Sequence, residues 1–277
     1  MAERVEWLWV DDGDAVPADD RGLAYGQGVF ETMRAGGDGL LLESYHRDRL
    51  LRGCRALGIP FDTTDFDRWR ASAAERGLLA APSPGRFLKL TVTAGSGGRG
   101  YRPPATPRPR VITATAPLPP LPMPGETVRV RECAHAVQPP PGRQGLKTLE
   151  RLDQVLASSE LADDDFEGLM TDPSGAPLEG TRSNIFVLFG ATLVTPPSSG
   201  LAVEGTLRRW LDANLPELGL QLLEQDLTGR LIRENGLLLG NSVMGLVNAT
   251  ELGGHSLPVS PYAAWLQARI GDWLGLV

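Results

Sequence analysis

Lysine is nearly missing from this chain: Lys89 and Lys147 are two of its 27 basic residues, and all the others are arginine. A guanidinium keeps its proton in a protein, so chemistry that needs a neutral amine has very few places to occur. Cysteine is as scarce. Cys54 and Cys133 show no C-x-x-C spacing and no nearby histidine, which excludes a disulfide scaffold and points to reduced thiols in a cytosolic protein. The three histidines, His46, His135 and His255, are too scattered to suggest a metal site. No apolar run approaches the ~20 residues that span a bilayer. The start, Met1-Ala2-Glu3-Arg4-Val5-Glu6-Trp7, is acidic and lacks the apolar core of a signal peptide. Positive charge is also in deficit, and a net charge of −7 argues against nucleic acid or an anionic membrane as main partner. The expectation is a soluble, cytoplasmic protein.

At 277 residues, 42% apolar and 22% charged, the chain suits one large or two ordinary globular domains. The clearest punctuation is Ala116-Pro117-Leu118-Pro119-Pro120-Leu121-Pro122-Met123-Pro124, which favours extended polyproline backbone and reads as a semi-rigid connector. It divides an N-terminal domain, residues 1–116, from a C-terminal domain, residues 125–277, with 117–124 between them. A second cluster, Pro139-Pro140-Pro141-Gly142, is a loop that leads to Lys147.

Alternating patterns predict strands over Trp7–Val10, Val29–Arg34, Phe87–Thr93, Arg110–Thr115 and Val128–Arg131. A helix is predicted from Tyr45 to Leu57, capped by Ser44 and closed by Gly58. Another is predicted from Leu149 to Leu161, with Leu149, Leu152, Val155 and Leu156 inward. Gly168–Thr171, the turn Asp172-Pro173-Ser174-Gly175 and Leu178–Leu188 read as a β-hairpin, and Leu207, Trp210, Leu211, Asn214 and Leu215 mark a further helix face. Strands dominate the C-terminal half and helices flank the N-terminal half, which suggests α+β.

Four stretches carry candidate chemistry. Lys147, in Gln144-Gly145-Leu146-Lys147-Thr148-Leu149-Glu150-Arg151-Leu152, is a primary amine able to form a Schiff base. In Val203-Glu204-Gly205-Thr206-Leu207-Arg208 a glycine opens a helix, whose exposed N–H groups favour a phosphate. In His46-Arg47-Asp48-Arg49-Leu50, helical spacing puts His46 and Arg49 on one face, with Arg49 able to fork onto a phosphate. Glu179, in Leu178-Glu179-Gly180-Thr181-Arg182-Ser183-Asn184-Ile185-Phe186, could hold a heteroaromatic nitrogen protonated. Beside these, Gly95-Ser96-Gly97-Gly98-Arg99-Gly100-Tyr101 lacks the features of a P-loop or a dinucleotide fingerprint. Its chemistry would come from Arg99 and from backbone amides that approach a carboxylate. An amine, a ring-nitrogen carboxylate and two phosphate devices together describe a pyridoxal phosphate site.

On these residues the chain resembles the class IV (fold-type IV) pyridoxal-phosphate-dependent aminotransferase family, most of all its aminodeoxychorismate lyases. Asp20-Arg21-Gly22-Leu23-Ala24-Tyr25-Gly26-Gln27-Gly28-Val29-Phe30-Glu31-Thr32 looks like the family's N-terminal signature. The stretches at Arg49, Lys147, Glu179 to Phe186 and Gly205 to Arg208 look like its cofactor motifs, and Asn241-Ser242-Val243-Met244-Gly245 like its last cofactor-facing loop. The Lys147 stretch and the glycine-rich loop resemble the lyases, and Thr32 after Glu31 departs from the glycine usual in branched-chain enzymes. Gln27, Ala94 and Asn248-Ala249 depart from common family residues on the substrate side.

The resemblance implies an α+β, two-domain fold-type IV enzyme, with a smaller N-terminal α/β domain and a larger, β-barrel-like C-terminal domain with flanking helices. It implies pyridoxal 5'-phosphate as cofactor, no metal, a small-molecule carboxylate substrate and a homodimer. The phosphate would meet Arg49 and the backbone at Thr206 and Leu207, with Asn241 and Ser242 also facing the cofactor. Lys147 would carry the Schiff base and then move the proton, while Glu179 keeps the ring nitrogen protonated. Arg99 would bind a substrate carboxylate, and Tyr25 and Thr32 would line its pocket. The implied reaction splits 4-amino-4-deoxychorismate into 4-aminobenzoate and pyruvate, a step toward folate. The main alternative is an aminotransferase for D-amino acids or branched-chain amino acids. A non-catalytic relative is a third reading, against which the presence of Lys147 and Glu179 counts.

Overall fold

The computed structural model describes residues 5–36, 39–79, 85–123, 126, 128–139 and 141–276. Met1–Arg4 of the acidic start, Pro124 of the connector and Pro140 of the second proline cluster lie outside the described residues. The chain forms two compact units: Met1–Pro119 with Leu146–Glu150, and Pro120–Gly145 with Arg151–Val277. The five-residue strip around Lys147 thus clusters with unit 1, although both its neighbours in sequence belong to unit 2.

Unit 1 is built on β1 (Glu6–Trp9), α1 (Arg21–Tyr25), β2 (Gly28–Gly36), β3 (Gly39–Leu40), α2 (Glu43–Ala56), α3 (Thr63–Glu75), β4 (Arg86–Thr93) and β5 (Arg110–Pro117). Its sheet runs β1-β5-β4-β2-β3, parallel between β1 and β5 and antiparallel elsewhere. Alternation along β2 sends Val29, Glu31, Met33 and Ala35 to the buried side. There the apolar members join Leu88, Leu90 and Val92 of β4 and Leu50, Cys54, Phe66 and Trp69 of the helices in one core.

The predicted helix begins two residues earlier than Tyr45. Leu42, at φ 55°, leads into Glu43, so Ser44 lies inside the first turn and is not the cap. The sequence expectation had no α3, although Asp62 and Asp65 form a capping box before Phe66, Trp69 and Ala73 at helical spacing.

Unit 2 contains β6 (Arg129–Glu132), α4 (Leu152–Ser158), β7 (Glu167–Thr171), β8 (Pro177–Gly180), β9 (Asn184–Phe189), β10 (Thr192–Thr195), α5 (Thr206–Asn214), β11 (Gln221–Glu224), α6 (Gly229–Asn235), β12 (Leu237–Asn241), β13 (Gly245–Ala249), β14 (Glu251–Leu252), β15 (His255–Ser256) and α7 (Pro261–Trp273). One sheet runs β11-β10-β9-β12-β13 and the other β15-β14-β6-β7-β8. The predicted hairpin holds for β7 and β8, but its second arm does not continue to Leu188. A turn closed by Gly180 N donating to Ser183 O at 2.7 Å breaks it, and β9 then joins the other sheet beside β12.

The helix predicted over Leu149–Leu161 is shorter and faces the other way. Leu149 lies in a bend outside the helix, its N–H donating to Gly28 O at 2.9 Å. In α4 only Ala157 is buried, while Leu152 and Val155 are 66% and 61% exposed and Leu156 is also exposed. Both cysteines are buried free thiols, and burial pushes Cys54 up to about 12 and Cys133 to about 11, which makes them poor nucleophiles.

Candidate active site

In unit 1, Lys147 is carried on extended backbone, which acts as a short extra strand. Phe30 N donates to Lys147 O at 2.9 Å, and Val29 and Thr148 form an antiparallel bridge. This register sets Lys147 opposite Phe30, so both side chains leave the same face of the sheet. Lys147 Nζ lies 4.5 Å from the Phe30 ring centroid, and Lys89 Nζ lies 5.1 Å from it. Both lysines of the chain therefore flank one aromatic ring. Thr32, two residues along β2, is half-buried on that face opposite Lys89.

Glu31 points the other way, into the core, and is fully buried. Its carboxylate meets His46 Nδ1 at 2.6 Å and receives a two-point contact from Arg49, Nε to Oε1 at 2.8 Å and Nη2 to Oε2 at 2.5 Å. The shared face of His46 and Arg49 is as their spacing implies. The fork of Arg49, only 4% exposed, however, grips the buried carboxylate of Glu31. A phosphate role for Arg49 concerns the side of the guanidinium away from Glu31. Burial alone would raise the Glu31 carboxyl, yet Arg49 and His46 hold it down at about 2. His46 is lowered by burial, against the pull of Glu31, and the charges of Arg49 and Lys147 lower it further. That influence places Lys147 within electrostatic reach of the same cluster.

Tyr25, at the end of α1, is half exposed and meets Tyr101 edge-on at 5.4 Å. Arg99 is exposed at the tip of the glycine-rich loop, where its backbone pairs with Arg102 in both directions, at 3.1 and 3.2 Å. The structure therefore gathers Tyr25 with the loop, and Lys147 with Thr32 and the Arg49 cluster.

In unit 2, Glu179 is 2% exposed on β8. Its Oε2 accepts from Ala202 N at 3.1 Å and Val203 N at 3.2 Å, and Gln154 Nε2 donates to Oε1 at 3.4 Å. These donors are neutral. Burial raises the carboxyl to about 7, and the amide of Val203 and the charge of Arg151 only partly oppose it. The chain from Ala202 leads directly to α5, whose first residues are Thr206 and Leu207.

Asn184 clamps that approach. Its Nδ2 donates to Val203 O at 2.9 Å and its Oδ1 accepts from Gly205 N at 2.9 Å. A Cβ on Gly205 would overlap Asn184 Oδ1, so a larger residue before α5 would displace the clamp. No side chain caps α5. Asn241, which ends β12 next to β9, donates to Arg182 O at 3.2 Å and accepts from Val243 N and Met244 N, which shapes the turn holding buried Ser242. Unit 2 thus brings Glu179, Thr206, Leu207, Asn241 and Ser242 around neighbouring strands and one helix start.

A model of the amino-transferase class IV family matches residues 28–252. The chain belongs to that family. The crystal structure of 4-amino-4-deoxychorismate lyase from Pseudomonas aeruginosa is similar at 35% identity, covering 94% of this chain and 95% of that one, with a TM-score of 0.85. A Methanocaldococcus jannaschii protein, provisionally named a branched-chain-amino-acid aminotransferase, is 31% identical over 79% of this chain and 76% of its own length. Aminodeoxychorismate lyase from Bacillus subtilis is 26% identical over 90% and 85%. Members of the class IV family use pyridoxal 5'-phosphate, which is the cofactor of this enzyme.

The residues present fit that cofactor. A carboxylate raised to about 7 by burial, which its hydrogen-bond donors and Arg151 only partly oppose, is suited to a cationic ring nitrogen, whose charge would offset the cost of its burial. A helix start without a side-chain cap, behind a glycine that packs against Asn184, is suited to a phosphate. Among the described residues no cluster of His, Cys, Asp and Glu suits a metal, and no helix is long and apolar enough to cross a membrane.

The sequence reading did not single out Glu31, Phe30 or Asn184 for a role. A signal existed for Glu31: a carboxylate between Val29 and Met33 on the buried side of a strand must be paired. Nothing local marked Phe30 as the partner of two lysines, since Lys147 reaches it through a strand pairing more than a hundred residues away in sequence.

Proposed function

We propose that this enzyme is a lyase that splits 4-amino-4-deoxychorismate into 4-aminobenzoate and pyruvate. The observation that carries the reading is the 35% identity to the Pseudomonas aeruginosa lyase across 94% of this chain. The lyase-like stretches at Lys147 and at Gly95–Tyr101 support it.

Bound pyridoxal phosphate supplies an aldehyde for an amine and a protonated ring that accepts electron pairs. Lys147 Nζ would be the amine that holds the cofactor's aldehyde carbon and the base that takes a proton from the substrate carbon bearing the amine. Glu179 keeps the ring nitrogen protonated. Arg49, with the backbone N–H groups of Thr206 and Leu207, holds the phosphate, and Asn241 and Ser242 shape the neighbouring wall. Arg99 takes a substrate carboxylate beside Tyr25 and Thr32. A homodimer, as the resemblance implies, is part of the proposal.

A second reading, transfer of the amino group from a branched-chain amino acid, is favoured by the 31% identity to the Methanocaldococcus jannaschii relative. The test supplies the purified enzyme with 4-amino-4-deoxychorismate and no amino acceptor. Release of equal amounts of 4-aminobenzoate and pyruvate is the expected result. Silence there, with brisk transfer from leucine to a keto acid, would replace the lyase by the aminotransferase.

A further inference from the structure

Four arginines of the described residues are buried, and they differ in what faces them. Arg49 pairs with Glu31, Arg110 with Glu6 and Asp20, and Arg208 with Glu224. Arg21 is just as buried, at 3% exposure, and among the described residues it has no carboxylate partner. Its guanidinium donates instead to four neutral oxygens: Gln27 Oε1 at 2.6 Å, Gly97 O at 3.2 Å, Gly100 O at 3.1 Å and Tyr101 O at 2.8 Å. It also lies 4.9 Å from the centre of the Tyr25 ring, and its own backbone N–H donates to Gly95 O at 2.8 Å.

Two consequences follow from elementary chemistry. Gly95, Gly97, Gly98 and Gly100 all have positive φ, and a chain so rich in glycine has many conformations open to it. Three carbonyls gathered on one planar fork leave it one. The fit is close: a Cβ on Gly98 would overlap Arg102 O and crowd Arg21 Nη1. Dipoles solvate the cation but do not cancel its charge, so a full positive charge remains beneath the loop. Paired arginines elsewhere in the unit leave no such surplus.

We propose that Arg21 is a positioning residue for the anionic end of the substrate, holding Gly97–Tyr101 in one conformation and leaving beneath it a positive charge that no carboxylate among the described residues pairs with. Its own N–H groups are engaged, so it acts through the loop: Arg99 and the loop amides make the contact with a carboxylate. The inference rests on the proposed reaction of a small carboxylated amine at this loop.

The test compares the cofactor-loaded wild type with Arg21→Ala and Arg21→Lys. Steady-state kinetics use whichever carboxylated amine the wild type turns over, and calorimetry measures binding of 4-aminobenzoate and of the neutral 4-aminobenzamide. Cofactor affinity is followed by visible absorption. Arg21→Ala should raise KM and weaken 4-aminobenzoate by about tenfold or more, the scale of one lost charge-assisted contact. The amide, kcat and cofactor affinity should change less than about twofold, because none of them draws on that charge. Added guanidinium ion should restore part of the loss, and Arg21→Lys should fall between the two. Equal weakening of acid and amide, or cofactor loss in parallel, would make Arg21 a structural residue only and overturn the proposal. If Arg21→Ala does not fold, Arg21→Lys decides by the same acid-to-amide ratio. A wild type that turns over no carboxylated amine would sink the proposed reaction, while the binding comparison would still judge Arg21.

Discussion

Glu31 in unit 1 and Glu179 in unit 2 are both strand carboxylates with almost no exposure, at 0% and 2%, yet they are displaced in opposite directions. Glu31 faces two cationic side chains and is held at about 2. Glu179 faces two backbone amides and a glutamine and rises to about 7. Burial penalises both charges alike, so the difference lies in the partners. The first carboxylate is satisfied by its own unit and serves the architecture around Arg49. The second is hydrogen-bonded by neutral donors, with the charge of Arg151 only partly opposing its burial, an environment suited to a ligand's counter-charge.

The contrast can be broken by experiment, starting with the site it is meant to serve. Lys147→Ala should lower turnover by about 10²–10⁴-fold, the usual weight of a proton-transfer group. Its urea unfolding midpoint should barely move, because the strand pairing of residues 147–149 uses backbone atoms. Parental turnover would remove Lys147 from the chemistry.

Glu31→Ala leaves Arg49 buried without its carboxylate and should cost about 3–5 kcal/mol in denaturant unfolding. A loss below about 1 kcal/mol would mean that the cluster is not self-contained. The pH dependence has a definite sign as well. Glu31 has a lowered pKa, so its contribution is present above the ordinary 4.5 and disappears as pH falls toward about 2.

Glu179 should behave oppositely. Below about 4.5 it is protonated whether the chain is folded or not; between about 4.5 and about 7 the unfolded chain ionises while the folded state resists. The cofactor-free enzyme should therefore lose stability on the order of 3 kcal/mol across that window. Glu179→Gln should flatten the loss, and added pyridoxal phosphate should reduce it. An identical slope in the variant would show that Glu179 titrates normally.

The smallest effect sharpens the unit 2 side. Asn184→Ala deletes the clamp on Val203 and Gly205 and should cost about 1–2 kcal/mol, with weaker cofactor binding visible by absorption titration. Unchanged cofactor affinity would separate the clamp from the helix start it borders.

Much of this was legible in the linear chain. Alternation located β2, β4 and β5 because a strand with one buried face must repeat every second residue. Glu179 and the start of α5 were marked as candidates by carboxylate and glycine patterns that are weak singly and gain weight only together. The helix after Lys147 was misjudged for an equally physical reason. Its leucines and valine keep helical spacing, but periodicity does not say which side of a helix is covered, and in α4 that side is exposed. Similarly, the spacing of His46 and Arg49 set their common face but not the carboxylate awaiting them.

The sequence alone determined the types of group and their local periodicity: a rare amine after a proline-glycine loop, one acid on a predicted strand, a glycine before a helix. Tertiary structure alone decided which charges meet. Arg110 reaches Glu6 across 104 residues and Arg49 reaches Glu31 across 18, while Arg21 finds only carbonyls 76 to 80 residues on and the amide of Gln27. Whether a buried ion is offset depends on what chain topology packs beside it, and Coulomb energy falls with distance in space rather than in sequence.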